Sequence, residues 1–289
     1  MLSLLLTFVM VLGMLPTIAF AAPAESSGVY QIGTAEDLLW FAETVNGGET
    51  GISAVLTADI DLTGTDWPGI GNYNSRFAGS FDGQGHTVTF KDASWGLFGY
   101  VQGSSSAVAT IRNVITAGSL QRSAIAHNAA YAHFTSCINR ATITSTDSYV
   151  AGIVGKVGGI ATAGVTKSDV LITNCANEAS ITGHDHIGGI VGWSQTNTRL
   201  DGCYNTGNIH GGANVGGLVG YLQEYTGTCE VKNSYNTGRV TGSSAVGGII
   251  GNMYNGVSVA NCYNAGPSTY AIAGNFYNNT YSITNSFFL

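Results

Sequence analysis

From Cys137 onward the sequence is a series of copies of one unit, and this repetition restricts the possible folds more than any other feature. Aligned on a small residue that follows an apolar stretch, the copies read Cys137-Ile138-Asn139, Cys175-Ala176-Asn177, Cys203-Tyr204-Asn205, Ser234-Tyr235-Asn236 and Cys262-Tyr263-Asn264, with anchors 38, 28, 31 and 28 residues apart. A second column follows as Ala151-Gly152-Ile153-Val154-Gly155, Gly188-Gly189-Ile190-Val191-Gly192, Gly216-Gly217-Leu218-Val219-Gly220 and Gly247-Gly248-Ile249-Ile250-Gly251, with Trp95-Gly96-Leu97-Phe98-Gly99 as a diverged earlier copy. A unit this short cannot bury an apolar face alone; it does so only by stacking on its neighbours.

Within a unit, short β-type stretches such as Asn208 to His210, Val215 to Val219 and Cys229 to Asn233 are separated by Gly, Asn, Ser and Thr turns. Side chains alternate along a strand, so apolar positions shared by the units mark an inner wall. Three such columns are visible: Ile143, Ile181, Ile209 and Val240; Ile172, Leu200, Val231, Val259 and Ile283; and Val150, Ile187, Val215 and Val246. The expected fold is all-β, a right-handed parallel β-helix with about three strands per coil. A propeller blade needs four antiparallel strands over about 40 residues, and a leucine-rich horseshoe needs a dense leucine frame; the units provide neither. The Asn column (Asn139, Asn177, Asn205, Asn236, Asn264) is read as turn residues of positive φ whose amides stack into an internal ladder.

The N-terminal part departs from the repeat. Thr34 precedes Ala35-Glu36-Asp37, then Leu38, Phe41, Ala42 and Val45 recur at helical spacing before Asn46-Gly47-Gly48, which predicts one amphipathic helix capping the open end of the solenoid. Further upstream, Met1 to Phe20 is almost wholly apolar and closes in Ala19-Phe20-Ala21, a pattern for signal peptidase cleavage before Ala22. The expected organisation is a signal peptide over residues 1–21, a short linker over 22–28, a cap helix with the first coils over 29–130, and repeats over 131–289. The last residues begin another copy and stop, so a truncated chain is expected. After signal cleavage no membrane span is expected, and the localisation is extracellular or at the cell surface.

These residues resemble the GLUG-motif repeats of large bacterial surface proteins, among them clostridial adhesin-like proteins and the non-catalytic regions of IgA-specific metallopeptidases. Gly216-Gly217-Leu218-Val219-Gly220 and Cys203-Tyr204-Asn205-Thr206-Gly207 carry the likeness best. The block Leu56 to Leu62, Trp67, and Phe77 to Thr87 is similar to the segment that leads into such repeats. The resemblance implies a stalk or adhesive surface module, often followed by further domains of a larger polypeptide, with a host surface protein or a glycan as partner.

Charge excludes one partner class. The net charge is −7 and the ten cationic residues are scattered singly, so nucleic acid, which demands a basic stripe, is not expected. Pectin-cleaving enzymes also use a β-helix, which makes a polysaccharide lyase or glycoside hydrolase the alternative function. However, the paired Asp residues, Gly-His-Gly and Arg-x-Lys segments of the polygalacturonase pattern are missing. Asp82-Gly83-Gln84-Gly85-His86 reads first as a turn; Asp59, Asp61 and Asp66 read as solvated carboxylates rather than a Ca²⁺ site; and His184-Asp185-His186, with His210 as a third ligand for Zn²⁺, reads first as a surface corner. No catalytic residue, metal or cofactor is therefore expected. The five cysteines are expected as free thiols, because Ser234 takes the place of Cys in their column. Tyr204, Tyr235 and Tyr263 fall on successive coils and are the candidate ligand-binding residues: an aromatic strip for sugar rings if they face outward, a core ladder if they face inward.

Overall fold

The structure, a computed structural model, describes residues 20–158, 169–223, 228–277 and 280–289. The signal peptide expected at the N-terminus lies almost wholly outside them. The chain coils into a parallel β-solenoid of about 9 turns. Its first wall runs in chain order from Glu25–Ser26 through Val29–Ile32, Ser53–Leu56 and Ser80–Asp82 to Val257–Ala260 and Tyr281–Thr284, so each coil adds one strand beside the last. Every pairing in this wall is parallel except the first, where Glu25–Ser26 turns back antiparallel on Val29–Ile32. Ala109–Arg112, Ala132–Thr135 and Val170–Thr173 are successive strands of this wall, so the entry coils and the repeats share it.

The three apolar columns are borne out in register. Ile143 pairs with Ile181, Ile209 and Val240 in turn; Ile172 with Leu200, Val231, Val259 and Ile283; and Val150 with Ile187, Val215 and Val246. The strands around them are more finely divided than three per coil. The second wall begins as continuous strands (Thr87–Ala93, Ile115–Leu120, Ile138–Thr144) and then splits into pairs such as Tyr204–Asn205 and Ile209–His210. The third face comprises a four-stranded corner ribbon (Val150–Ala151, Ile187–Gly188, Ala213–Gly216, Ser244–Gly247) and a seven-stranded wall from Phe98–Gln102 to Ala273–Phe276.

The Asn column is the buried ladder it was expected to be, but its backbone differs from the expected turn. None of the five has a positive φ; they are strand residues pointing inward and all are almost wholly buried. The left-handed positions lie just before the anchor residue instead, at Ser136, Asn174, Gly202, Asn233 and Asn261. In the ladder, Asn139 Nδ2 donates to Asn177 Oδ1 (2.7 Å), Asn177 to Asn205 (2.6 Å), Asn205 to Asn236 (2.6 Å) and Asn236 to Asn264 (2.8 Å). Each Nδ2 also donates to the carbonyl two residues on, which holds the bend of its own coil. Both ends are closed: Thr116 donates to Asn139 Oδ1, and Asn264 donates to Ser268 Oγ. The second-column glycines follow from this, since a Cβ at Gly189 or Gly217 would lie within 3 Å of the Asn205 or Asn236 side chain.

The helix spans Ala35–Asn46, with Thr34 and Asp37 exchanging side-chain and backbone hydrogen bonds at its start. Leu38, Phe41, Ala42 and Val45 are buried. Phe41 meets Phe77 and Phe81 at ring distances of 6.1 and 6.2 Å, and these pack on Phe98, so an aromatic plug closes the first coils under the helix.

All five cysteines are buried free thiols. Burial pushes the Cys203 thiol up to about 12, and burial likewise raises Cys175 and Cys262. Thiol titration of the native protein should therefore detect almost no reactive cysteine, and unfolding should release five. Asn205→Ala leaves both Asn236 Oδ1 and the Gly207 carbonyl without their amide donor. It should lower unfolding free energy by about 2–4 kcal/mol in urea titrations. Asn264→Ala, at the end of the ladder, should cost less.

Candidate functional site

Tyr204, Tyr235 and Tyr263 face outward, because their neighbours Asn205, Asn236 and Asn264 face inward. The first two rings lie 5.2 Å apart at 6°, and Tyr235 and Tyr263 lie 4.9 Å apart at 5°. Tyr235 is thus stacked on both faces, and Tyr204 and Tyr263 each on one. Tyr204 Oη donates to Glu178 Oε1 (2.8 Å), while Glu178 Oε2 accepts from Arg140 Nε (2.7 Å). The Arg140 guanidinium holds the Glu178 carboxyl below its usual range, and partial burial beside that carboxylate raises the Tyr204 phenol to about 12.

The other candidates do not converge. His186 has φ +59, which turns it away from His184; its ring lies 5.0 Å from Tyr149 and 5.5 Å from Tyr221. His210 is bonded to Thr241 instead (2.9 Å). His184 and His186, two residues apart, would share one side of an extended strand, and the left-handed turn at His186 breaks that arrangement. Among the described residues no group of three or more His, Cys, Asp or Glu side chains could hold a metal ion. Ser148 Oγ and Asp185 Oδ2 both approach the same nitrogen of His184, Nδ1, at 3.4 and 3.3 Å, so they cannot act as nucleophile and orienting acid of one relay. Asp82 is engaged by the Gln84 amide, Asn113 and Arg112, and its carboxyl is held down by these partners despite its burial. Asp59 accepts from the Thr87 amide and faces His86, whereas Asp61 accepts from the Thr63 amide; both are lowered by those backbone bonds first.

The sequence reading missed an aromatic belt on the outside of the seven-stranded wall and its corner ribbon. The residue after the last glycine of each second-column copy points outward: Tyr100, Lys156, Trp193, Tyr221 and Asn252. Alongside lie the left-handed corner residues Tyr149, His186, Asn214 and Ala245. A Cβ at Gly192, Gly220 or Gly251 would collide with the backbone of those corners, so glycine is what lets the two columns lie side by side. Tyr149 packs 5.4 Å from Trp193, and Lys156 Nζ sits 4.7 Å over the Trp193 ring. Nearer the N-terminus, Trp95 lies 5.4 Å from His127 and under the Arg122 guanidinium at 4.2 Å.

Further along the same face, a groove of about 780 Å³ is lined by Asn214, Tyr221, Asn252, Tyr254, Tyr270 and Tyr277, among others, and, among the described residues, by no charged side chain. Its polar residues form a relay: Asn252 Nδ2 donates to Asn214 Oδ1 (2.9 Å), and Asn214 Nδ2 lies 3.3 Å from His186 Nε2. Burial lowers the His186 pKa, which favours the uncharged imidazole in this relay.

Comparison with known proteins agrees with this architecture. The GLUG motif matches residues 211–241. A crystal structure from Bacteroides ovatus, described as a "putative immunoglobulin A1 protease", superposes with a TM-score of 0.62 at 19% identity, covering 92% of this chain and 86% of that one. At that identity the likeness concerns the fold alone. No curated protein matches. The resemblance read from the repeats is thus borne out in the motif and in the solenoid.

Burial holds the His127 imidazole down at about 4, with Arg122 adding to the effect. The unfolded chain takes up that proton near pH 6.5 and the folded chain only near pH 4, so stability should fall as pH drops through this interval. His186, also lowered, adds in the same sense. Urea midpoints measured from pH 7 to pH 4 should show the decline, and His127→Gln should flatten it.

Proposed function

We propose that this chain is a non-catalytic, exported β-solenoid module that acts at the cell surface as a stalk and adhesive element, with glycans or host surface proteins as its ligands. The observation that carries this reading is the state of the carboxylates. Each one with a resolved pKa shift, Asp59, Asp61, Asp82 and Glu178, is shifted downward and already engaged by hydrogen bonds within the chain. A glycosidase of the β-helix type instead depends on a carboxyl raised to serve as general acid opposite a second carboxylate.

The adhesive part of the reading draws on the belt. Aromatic side chains recur along one face over successive coils, from Tyr100 and Trp95 to Tyr254 and Tyr277, which resembles a surface for contact with a long ligand more than a single reactive centre. The name of the Bacteroides ovatus protein raises proteolysis as another activity. Against it stand the burial of every thiol, with Cys175, Cys203 and Cys262 held up in pKa, and the His184 corner, where serine and aspartate compete for one nitrogen.

Incubation with pectins, neutral polysaccharides and immunoglobulin A1 should release no reducing ends, no unsaturated sugar and no peptide fragments, while a glycan array should register binding. Turnover in any of these assays would transfer the chain to the enzymes.

A further inference from the structure

We propose that the groove floored by Asn252 is a binding site for uncharged oligosaccharide, with the Asn252 carbonyl oxygen accepting a hydrogen bond from a sugar hydroxyl and the surrounding tyrosines packing on pyranose rings. This rests on the adhesive reading above and gives it a place and a ligand class.

The first observation is an unmet hydrogen-bond acceptor. Asn252 is only 5% exposed, lines the groove, and its Oδ1 has no partner among the described residues. A buried amide left half-satisfied costs free energy unless water or a ligand completes it. The other end of the same side chain is engaged: its Nδ2 donates to Asn214 Oδ1, and Asn214 Nδ2 lies against His186 Nε2. The relay therefore aims the oxygen at the groove. His186 Nδ1 is likewise buried with no partner among the described residues. In the ladder the buried amides of Asn139, Asn177, Asn205, Asn236 and Asn264 have both ends satisfied, whereas Asn252 Oδ1, like Asn46 Oδ1 at the end of the helix, has no partner among the described residues.

The second observation is the lining. Tyr254 and Tyr277 are tilted at 40° with ring centres 5.6 Å apart, so they do not cover each other's faces as the Tyr204 ladder does. Tyr270 and Tyr277 are more than half exposed at the rim, 55% and 51%. Aromatic faces beside fixed amides match a sugar ring, whose C–H face is apolar and whose rim is hydroxylated. Among the described residues the lining holds no lysine, arginine, aspartate or glutamate, so an anionic uronate or sialic acid meets no counter-charge there, and a cation no carboxylate.

The test uses the full chain in calorimetric titrations with neutral oligosaccharides (β-1,4-glucose, β-1,4-xylose, α-1,4-glucose and N-acetyllactosamine series) and with acidic ones (oligogalacturonate, sialyllactose). At least one neutral series should bind, the acidic ones should not, and Asn252→Ala should weaken binding at least tenfold, about 1.4 kcal/mol. Tyr277→Ala, at an exposed rim position that folding tolerates, should weaken it comparably with an unchanged unfolding midpoint. The groove is overturned if neutral binding survives both substitutions, if it is lost instead on Tyr235→Ala, or if only acidic glycans or only peptides bind; each leaves the adhesive reading standing. Release of reducing ends with binding still sensitive to Asn252→Ala would overturn the non-catalytic reading and leave the groove in place. If no glycan binds, the groove proposal falls, and with it the glycan arm of the adhesive reading.

Discussion

Register is the constraint on which this molecule rests. Each coil places its residues directly against their equivalents in the next, so whatever suits one position must suit a stack of them. For apolar side chains this is easily met, as in the Ile143 and Ile172 columns. For a buried polar group it is severe, because an amide with no partner in the interior costs about 1–3 kcal/mol. The Asn139 to Asn264 ladder meets the constraint by letting each amide complete the next and by tying each to its own bend. At Gly189 and Gly217 the ladder amide and the carbonyl of the next coil together occupy the space a side chain would need.

This explains which parts of the structure could be read from the amino acids. Residues that face the interior repeat because their environment repeats, so the Ile, Val, Cys and Asn columns and the Thr34-capped helix were all visible in advance. The backbone state of the Asn column was not, because asparagine is favoured both in left-handed turns and in stacked amide ladders. The two uses fall close together here, at Asn174 and Asn177, or Asn233 and Asn236. The outer belt escaped for the opposite reason. Tyr100, Lys156, Trp193, Tyr221 and Asn252 share a position but not a side-chain type, and a solvent-facing column has no packing reason to repeat. The signal that could have found it is the one residue following Gly99, Gly155, Gly192, Gly220 and Gly251. The groove was beyond sequence reasoning, since it joins Asn214, Asn252 and Tyr277 from successive coils.

The division of labour between inside and outside follows. The interior is committed to stacking and admits little variation. The outside of the seven-stranded wall is held by backbone hydrogen bonds, so its side chains are free to differ from coil to coil while keeping fixed spacing and direction. Tyr204, Tyr235 and Tyr263 show the conservative use of that freedom, identical residues closing on one another; Trp193, Tyr221 and Asn252 show the inventive one.

The amide ladder also gives the rod an arithmetic of growth. Every link runs the same way, from the nitrogen of one coil to the oxygen of the following coil. Duplicating or deleting one whole coil restores the chain of links intact, whereas a change of half a coil would strand an amide in the dark interior. Reach can therefore lengthen or shorten only in steps of one strand spacing, about 4.8 Å. A lineage carrying such a module could tune how far it extends by unequal recombination between near-identical stretches of gene, without redesigning a single contact.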